Sequence, residues 1–136
     1  MKKKAEHIAL IGLLGALALV LGILENLLPP LPGMPAGAKA GLSNLVTMFA
    51  AGAIGLPAAL FIAAIKGLFA FLTRGVSAGL MSLCGGLLST LIMGILWKKT
   101  KFTPVFIGVC GAFGHNLAQL LVALWMTGFG ALGYIP

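Results

Sequence analysis

The sequence predicts an all-α integral membrane protein crossing the bilayer about five times, and three observations carry that expectation. Apolar residues make up 60% of the chain and charged ones only 8%, with a mean hydropathy of +1.14. A soluble domain builds its polar shell from roughly a quarter charged residues, and here that shell has no source. The apolar residues also fall into runs near the ~20 residues a helix needs to cross about 30 Å of hydrocarbon. Finally, most of the charge sits in short clusters between those runs.

The 136 residues read as a single transmembrane domain. The first span covers residues 7–28. The stretch PPLPGMPAG at 29–37 is too rich in proline and glycine for a helix and reads as a stiff loop. Span two covers 38–55 and ends in a tight turn at Gly55, Leu56 and Pro57. Span three runs over 57–73, since proline is tolerated in a first helical turn. The segment RGVSAG, 74–79, reads as a short loop before span four, 80–97. The KKTK loop at 98–101 precedes span five, 104–128, and a short apolar tail follows. The odd number of spans and the bare apolar ending at Pro136 are those expected of a shortened six-span protein.

The net charge of +7 does not point to nucleic acid, because of where it lies. Lys2, Lys3 and Lys4 precede the first span, and Lys98, Lys99 and Lys101 share one loop, the pattern of cytoplasmic orientation signals. Five alternating spans put both clusters on one side, so the predicted topology is multi-pass in the cell membrane with a cytoplasmic amino terminus. The start MKKK resembles a signal peptide. Its apolar run is longer than a signal core and leads into equally apolar segments, so it reads as a retained span. Cys84 and Cys110 fall inside spans without metal or redox spacing and read as small hydrophobes; no metal or cofactor is expected.

Small residues recur at four-residue spacing, Gly12 with Ala16 and Gly108 with Ala112, which lets helix backbones approach closely in lipid. Packing inside one bundle accounts for this spacing. Docking of another membrane subunit on the Gly12/Ala16 face is the alternative.

Ionisable groups within the spans are costly, by about 2.5–3.5 kcal/mol for a lysine, arginine or aspartate at a helix centre. Glu25, Lys39, Lys66, Arg74 and His115 are therefore the informative residues, joined by Asn44, Asn116 and Gln119. On the predicted topology they lie in the outer half or at the middle of the membrane. Three cations against one carboxylate favour a small anionic ligand such as a phosphate or carboxylate. Arg74 suits a bidentate contact and Lys39 or Lys66 a point-charge contact, with Lys39 near a helix start that itself favours anions. His115, Asn116, Gln119 and Asn44 would hydrogen-bond the ligand deeper in. Glu25 would order the loop by pairing with Lys39. Each has a plainer reading: Lys39 and Arg74 can snorkel to headgroups, and the histidine and amides can be interhelical hydrogen-bonding groups. Lys66, mid-span, reaches neither surface easily.

The stretch LENLLPPLPGMPAGAKAGLSN at 24–44, the lysine and arginine of span three, the glycines of SLCGG at 82–86 and HNLAQL at 115–120 resemble the Gx transporter family, also known as heptaprenyl diphosphate synthase component I. The resemblance covers nearly the whole chain. Ala40 and Ala118 depart mildly from the usual GAKLGLSN and HNLGQL. That family in turn looks like the substrate-binding S-components of energy-coupling-factor transporters, six-helix bundles that bind a small molecule near the outer face. The likeness implies a transmembrane coupling subunit with ATPases, docked on small residues of the first helix. The chain lacks a GxxxxGK[ST] phosphate loop and supplies no such energy itself. Prenyl-chain elongation needs carboxylates to hold magnesium. With no aspartate and only Glu6 and Glu25, this chain is not a catalytic synthase subunit. Two functions stand: a membrane subunit that binds and translocates a small anion, or a non-catalytic accessory to a soluble prenyl synthase.

Overall fold

A computed structural model of the chain describes residues 2–27 and 41–128, and every regular element among them is an α-helix. These are α1 (Lys2–Leu27), α2 (Leu42–Ala53), α3 (Leu56–Arg74), α4 (Val76–Lys99) and α5 (Pro104–Thr127). α1, α3, α4 and α5 are each long and apolar enough to cross a membrane. The chain is thus an all-α membrane protein.

α2 departs from the expected second span of 38–55. Its 12 residues rise about 18 Å, well short of a ~30 Å hydrocarbon layer. Gly41 precedes it at φ 77, a left-handed conformation that glycine adopts without a Cβ clash. At the other end Ile54 and Gly55 both donate to Ala50 O and close the helix, and Pro57 starts α3 in its first turn. The RGVSAG segment is also tighter than expected. Arg74 ends α3, Gly75 alone makes the turn at φ 86, and Val76 begins α4. α5 starts at Pro104, capped by Thr103 Oγ1, which accepts from Phe106 N at 3.3 Å.

α3 and α4 pack together, as do α4 and α5, while α1 rests on α2 and α3. Lipid offers no hydrophobic drive between helices, so close backbone approach must supply the attraction. Gly67 of α3 shows how: a Cβ there would lie 2.8 Å from Leu83 Cα on α4. The central packing around α2 uses Leu14, Ala18, Val46, Ala50, Ala59 and Ile62, all buried. Leu13, Leu17, Val109, Phe113 and Leu121 point outward, as lipid-facing residues should. Cys84 and Cys110 are half-buried and unbridged.

Contacts fix which helix ends lie together. Arg74 at the end of α3 reaches Asn26 at the end of α1, and Leu42 at the start of α2 meets Glu25. At the opposite end Trp97 packs over Gly52, and Leu56 lies against Gly94. The first residues of α1 and the last of α4 therefore share one end, and both lysine clusters flank it. α2 as described runs from that lysine end to about the level of Lys66, where Asn44 of its first turn meets the lysine.

Candidate functional site

Among the described residues, a cavity of about 680 Å³ lies beside the first turn of α2. Every helix contributes to its wall. Glu25 and Asn26 come from the last turn of α1, and Ser43 and Asn44 from the first turn of α2. Lys66, Thr73 and Arg74 face it from α3, Ser82 from α4, and His115, Asn116 and Gln119 from α5. Helical spacing explains the α5 set, since residues one turn apart share a face.

All the sequence-predicted site residues that the structure describes converge here: Asn44, Lys66, Arg74, His115, Asn116 and Gln119, with Glu25 beside them. Lys39, and with it the expected Glu25–Lys39 pair, lies outside the described residues. Gly12 and Ala16 are not at the site. They lie on the exposed face of α1, and a Cβ on Gly12 would meet nothing within 4 Å.

The hydrogen bonds show how the polar groups are held. Lys66 Nζ donates to Asn44 Oδ1 at 2.9 Å, tying the middle of α3 to the first turn of α2. Arg74 Nη1 donates to Asn26 Oδ1 at 3.3 Å, tying the ends of α3 and α1. Both cations thus donate to a neutral amide oxygen, and Glu25, which lines the same cavity, is the carboxylate whose charge acts on Lys66. Glu25 Oε1 also accepts from Leu42 N. That amide is one of the four a helix leaves unsatisfied at its start, and no side chain of α2's own caps it. A negative group there also complements the helix dipole.

His115 is seated by a glycine. Gly85 of α4 is buried, and a Cβ on it would come within 2.9 Å of His115 Cε1. The imidazole therefore lies against the α4 backbone at a place where only glycine leaves space. Lys66 and Arg74 are eight residues apart on one helix face, so the two cations differ in depth by about 12 Å. The cavity combines these polar groups with apolar walls from Leu19, Phe69, Met81 and Leu120. An elongated ligand can meet charge at more than one depth.

Asn26, Thr73 and Ser82 were not singled out by sequence reasoning. Asn26 carried a signal in its position next to Glu25. Thr73 precedes Arg74 at a helix end, where threonine is ordinary, and its hydroxyl donates to Phe69 O at 2.8 Å. Ser82 had no distinguishing context.

Among comparisons with known proteins, the family model described as heptaprenyl diphosphate synthase component I matches residues 14–136. No curated protein and no solved structure matches the chain.

Proposed function

The chain belongs to the heptaprenyl diphosphate synthase component I family, and from that premise and the polar cavity we propose that it is a membrane subunit that binds a small anion and carries it across the bilayer. One observation supports this most: Lys66 and Arg74 line a single cavity with only amide oxygens as their described hydrogen-bond partners. Charged groups kept at membrane depth ordinarily face a pathway or a ligand. The anion is held by Arg74 at the mouth and Lys66 deeper in, with Asn44, His115, Asn116 and Gln119 as hydrogen-bonding partners. Lys39 joins them from the segment before α2. The lysine clusters orient the amino terminus to the cytoplasm, so the cavity opens outside. A coupling subunit with ATPases docks on Gly12 and Ala16 and supplies the energy.

A thermal-shift panel of phosphates and carboxylates tests binding on the detergent-purified protein. At least one anion stabilises the wild type, and Arg74→Ala and Lys39→Ala both weaken that effect while leaving the bundle folded. Undiminished stabilisation in both variants overturns the anion site.

The family match favours a second reading, a non-catalytic membrane accessory to a soluble prenyl synthase. It predicts co-purification with that enzyme and a changed product chain length when this chain is deleted.

A further inference from the structure

The lysine end of the bundle carries charge that the cavity at the other end does not use. Trp97 to Phe106 read WKKTKFTPVF, with three lysines, three aromatic rings and no carboxylate. Lys98 and Lys99 close α4, Lys101 lies in the turn before α5, and all three side chains are exposed. The chain's two glutamates lie elsewhere: Glu6 follows Lys3 and Lys4 in α1, and Glu25 lines the cavity. A helix C-terminus attracts cations, but its dipole is equivalent to only about half a negative charge. Set against three lysines, that leaves most of the charge open to a partner outside these helices.

Depth names the partner. α4 and α5 have 24 residues each, a rise of about 36 Å against about 30 Å of hydrocarbon. Their joined ends therefore reach the headgroup layer. The turn between them, residues 100–103, is short. An acidic surface of a soluble protein would have to enter the headgroups to meet the lysines, whereas lipid phosphates already lie at that level. Beside the lysines the exposed side chains are apolar: Val105 is 77% exposed, Phe102 51% and Phe106 47%, and the two rings pack with centroids 4.7 Å apart. Trp97, exposed and packed over Gly52, is of a type that settles at the membrane interface. Gly85 faces His115 and Met93 faces Gly111, so α4 and α5 run antiparallel. Leu27, Gly41 and Gly128, from which residues 28–40 and 129–136 continue, are therefore all at the opposite end from this patch.

We propose that this patch holds an anionic phospholipid, its phosphate against Lys98, Lys99 and Lys101 and its acyl chains along Phe102, Val105 and Phe106. The site is independent of the anion cavity. The test uses the full chain in detergent with an equimolar mixture of dioleoyl phosphatidylglycerol and dioleoyl phosphatidylcholine, and native mass spectrometry counts the lipids retained. The two lipids share their acyl chains and differ in net charge. The wild type retains phosphatidylglycerol over phosphatidylcholine by at least about fivefold, the effect of one lysine near an anionic surface. Replacing Lys98, Lys99 and Lys101 together by glutamine abolishes the preference, and replacing them by arginine keeps it. Detergent has no sides, so an altered membrane orientation does not enter the result. Phe102→Ala combined with Phe106→Ala lowers retention of both lipids. Equal retention of the two lipids by the wild type overturns the proposal, as does a preference that survives in the glutamine variant. A preference lost in Arg74→Ala and kept in the glutamine variant puts the lipid in the cavity and overturns the patch. So does a soluble acidic protein that the wild type retains and the glutamine variant loses while the two lipids bind alike, since the patch then belongs to a protein partner.

Discussion

Gly85→Ala is the substitution whose effect on the site can be worked most closely from the geometry. A Cβ on Gly85 would lie 2.9 Å from His115 Cε1, 3.0 Å from Nδ1 and 3.1 Å from Nε2. Ordinary carbon contacts sit at about 3.5–4.0 Å, so the ring must retreat by roughly half an ångström or more. It can go only toward the cavity or by pushing α5 off α4. Over-packing of this kind costs about 1–3 kcal/mol. Alanine's higher helix propensity returns up to about 1 kcal/mol, and a control isolates that gain. Gly12→Ala adds a Cβ that meets nothing and shows propensity alone. The comparison is therefore between the two variants. Gly85→Ala melts below Gly12→Ala by an amount corresponding to about 1–3 kcal/mol, read from thermal unfolding in detergent. His115→Ala in the Gly85→Ala background recovers much of the difference, because the clashing ring is gone. Equal melting of the two glycine variants, or no coupling to His115, refutes the seating of the imidazole on α4.

Three further outcomes follow from the same contacts. Glu25→Ala removes the acceptor of Leu42 N, worth about 1.5–3 kcal/mol for a charged hydrogen bond; hydrogen exchange at residues 41–45 should accelerate, and an unchanged rate removes the interhelical cap. Asn44→Leu deprives Lys66 of its described partner and lowers the melting temperature, whereas the double variant with Lys66→Met regains stability, since an apolar pair often replaces a buried polar one at little cost. Replacing Lys98, Lys99 and Lys101 by glutamine removes one of two orientation signals; cysteine labelling on intact cells should then report a mixed topology, and an unaltered one means the first cluster suffices.

The class of the protein was legible because lipid imposes a simple length rule on apolar runs, and four of the helices meet it. The second helix was not. Its flank at 38–41, AKAG, holds no proline to break a helix, so the sequence could not show that the helix as described starts only at Leu42, after a left-handed Gly41. The polar residues could be picked from the sequence because each stands out against an apolar background. Their meeting in one cavity could not, since it depends on how five helices pack against one another. Partners were also hidden. Asn44 and Lys66 are 22 positions apart and Asn26 and Arg74 are 48, and no local period links such pairs. Glu25 was expected to serve the loop through Lys39; among the described residues it serves the start of α2, a role that only the closeness of two helix ends reveals.

Native mass spectrometry of the detergent-purified chain tests the central claim most directly, because it weighs whatever the cavity holds. The account predicts an anionic small molecule on the wild type that is absent from Arg74→Ala and Lys66→Met, both still folded. A wild type that carries no anion, or one that both variants retain, contradicts it. An empty chain that co-purifies with a soluble prenyl synthase moves the assignment to the accessory role.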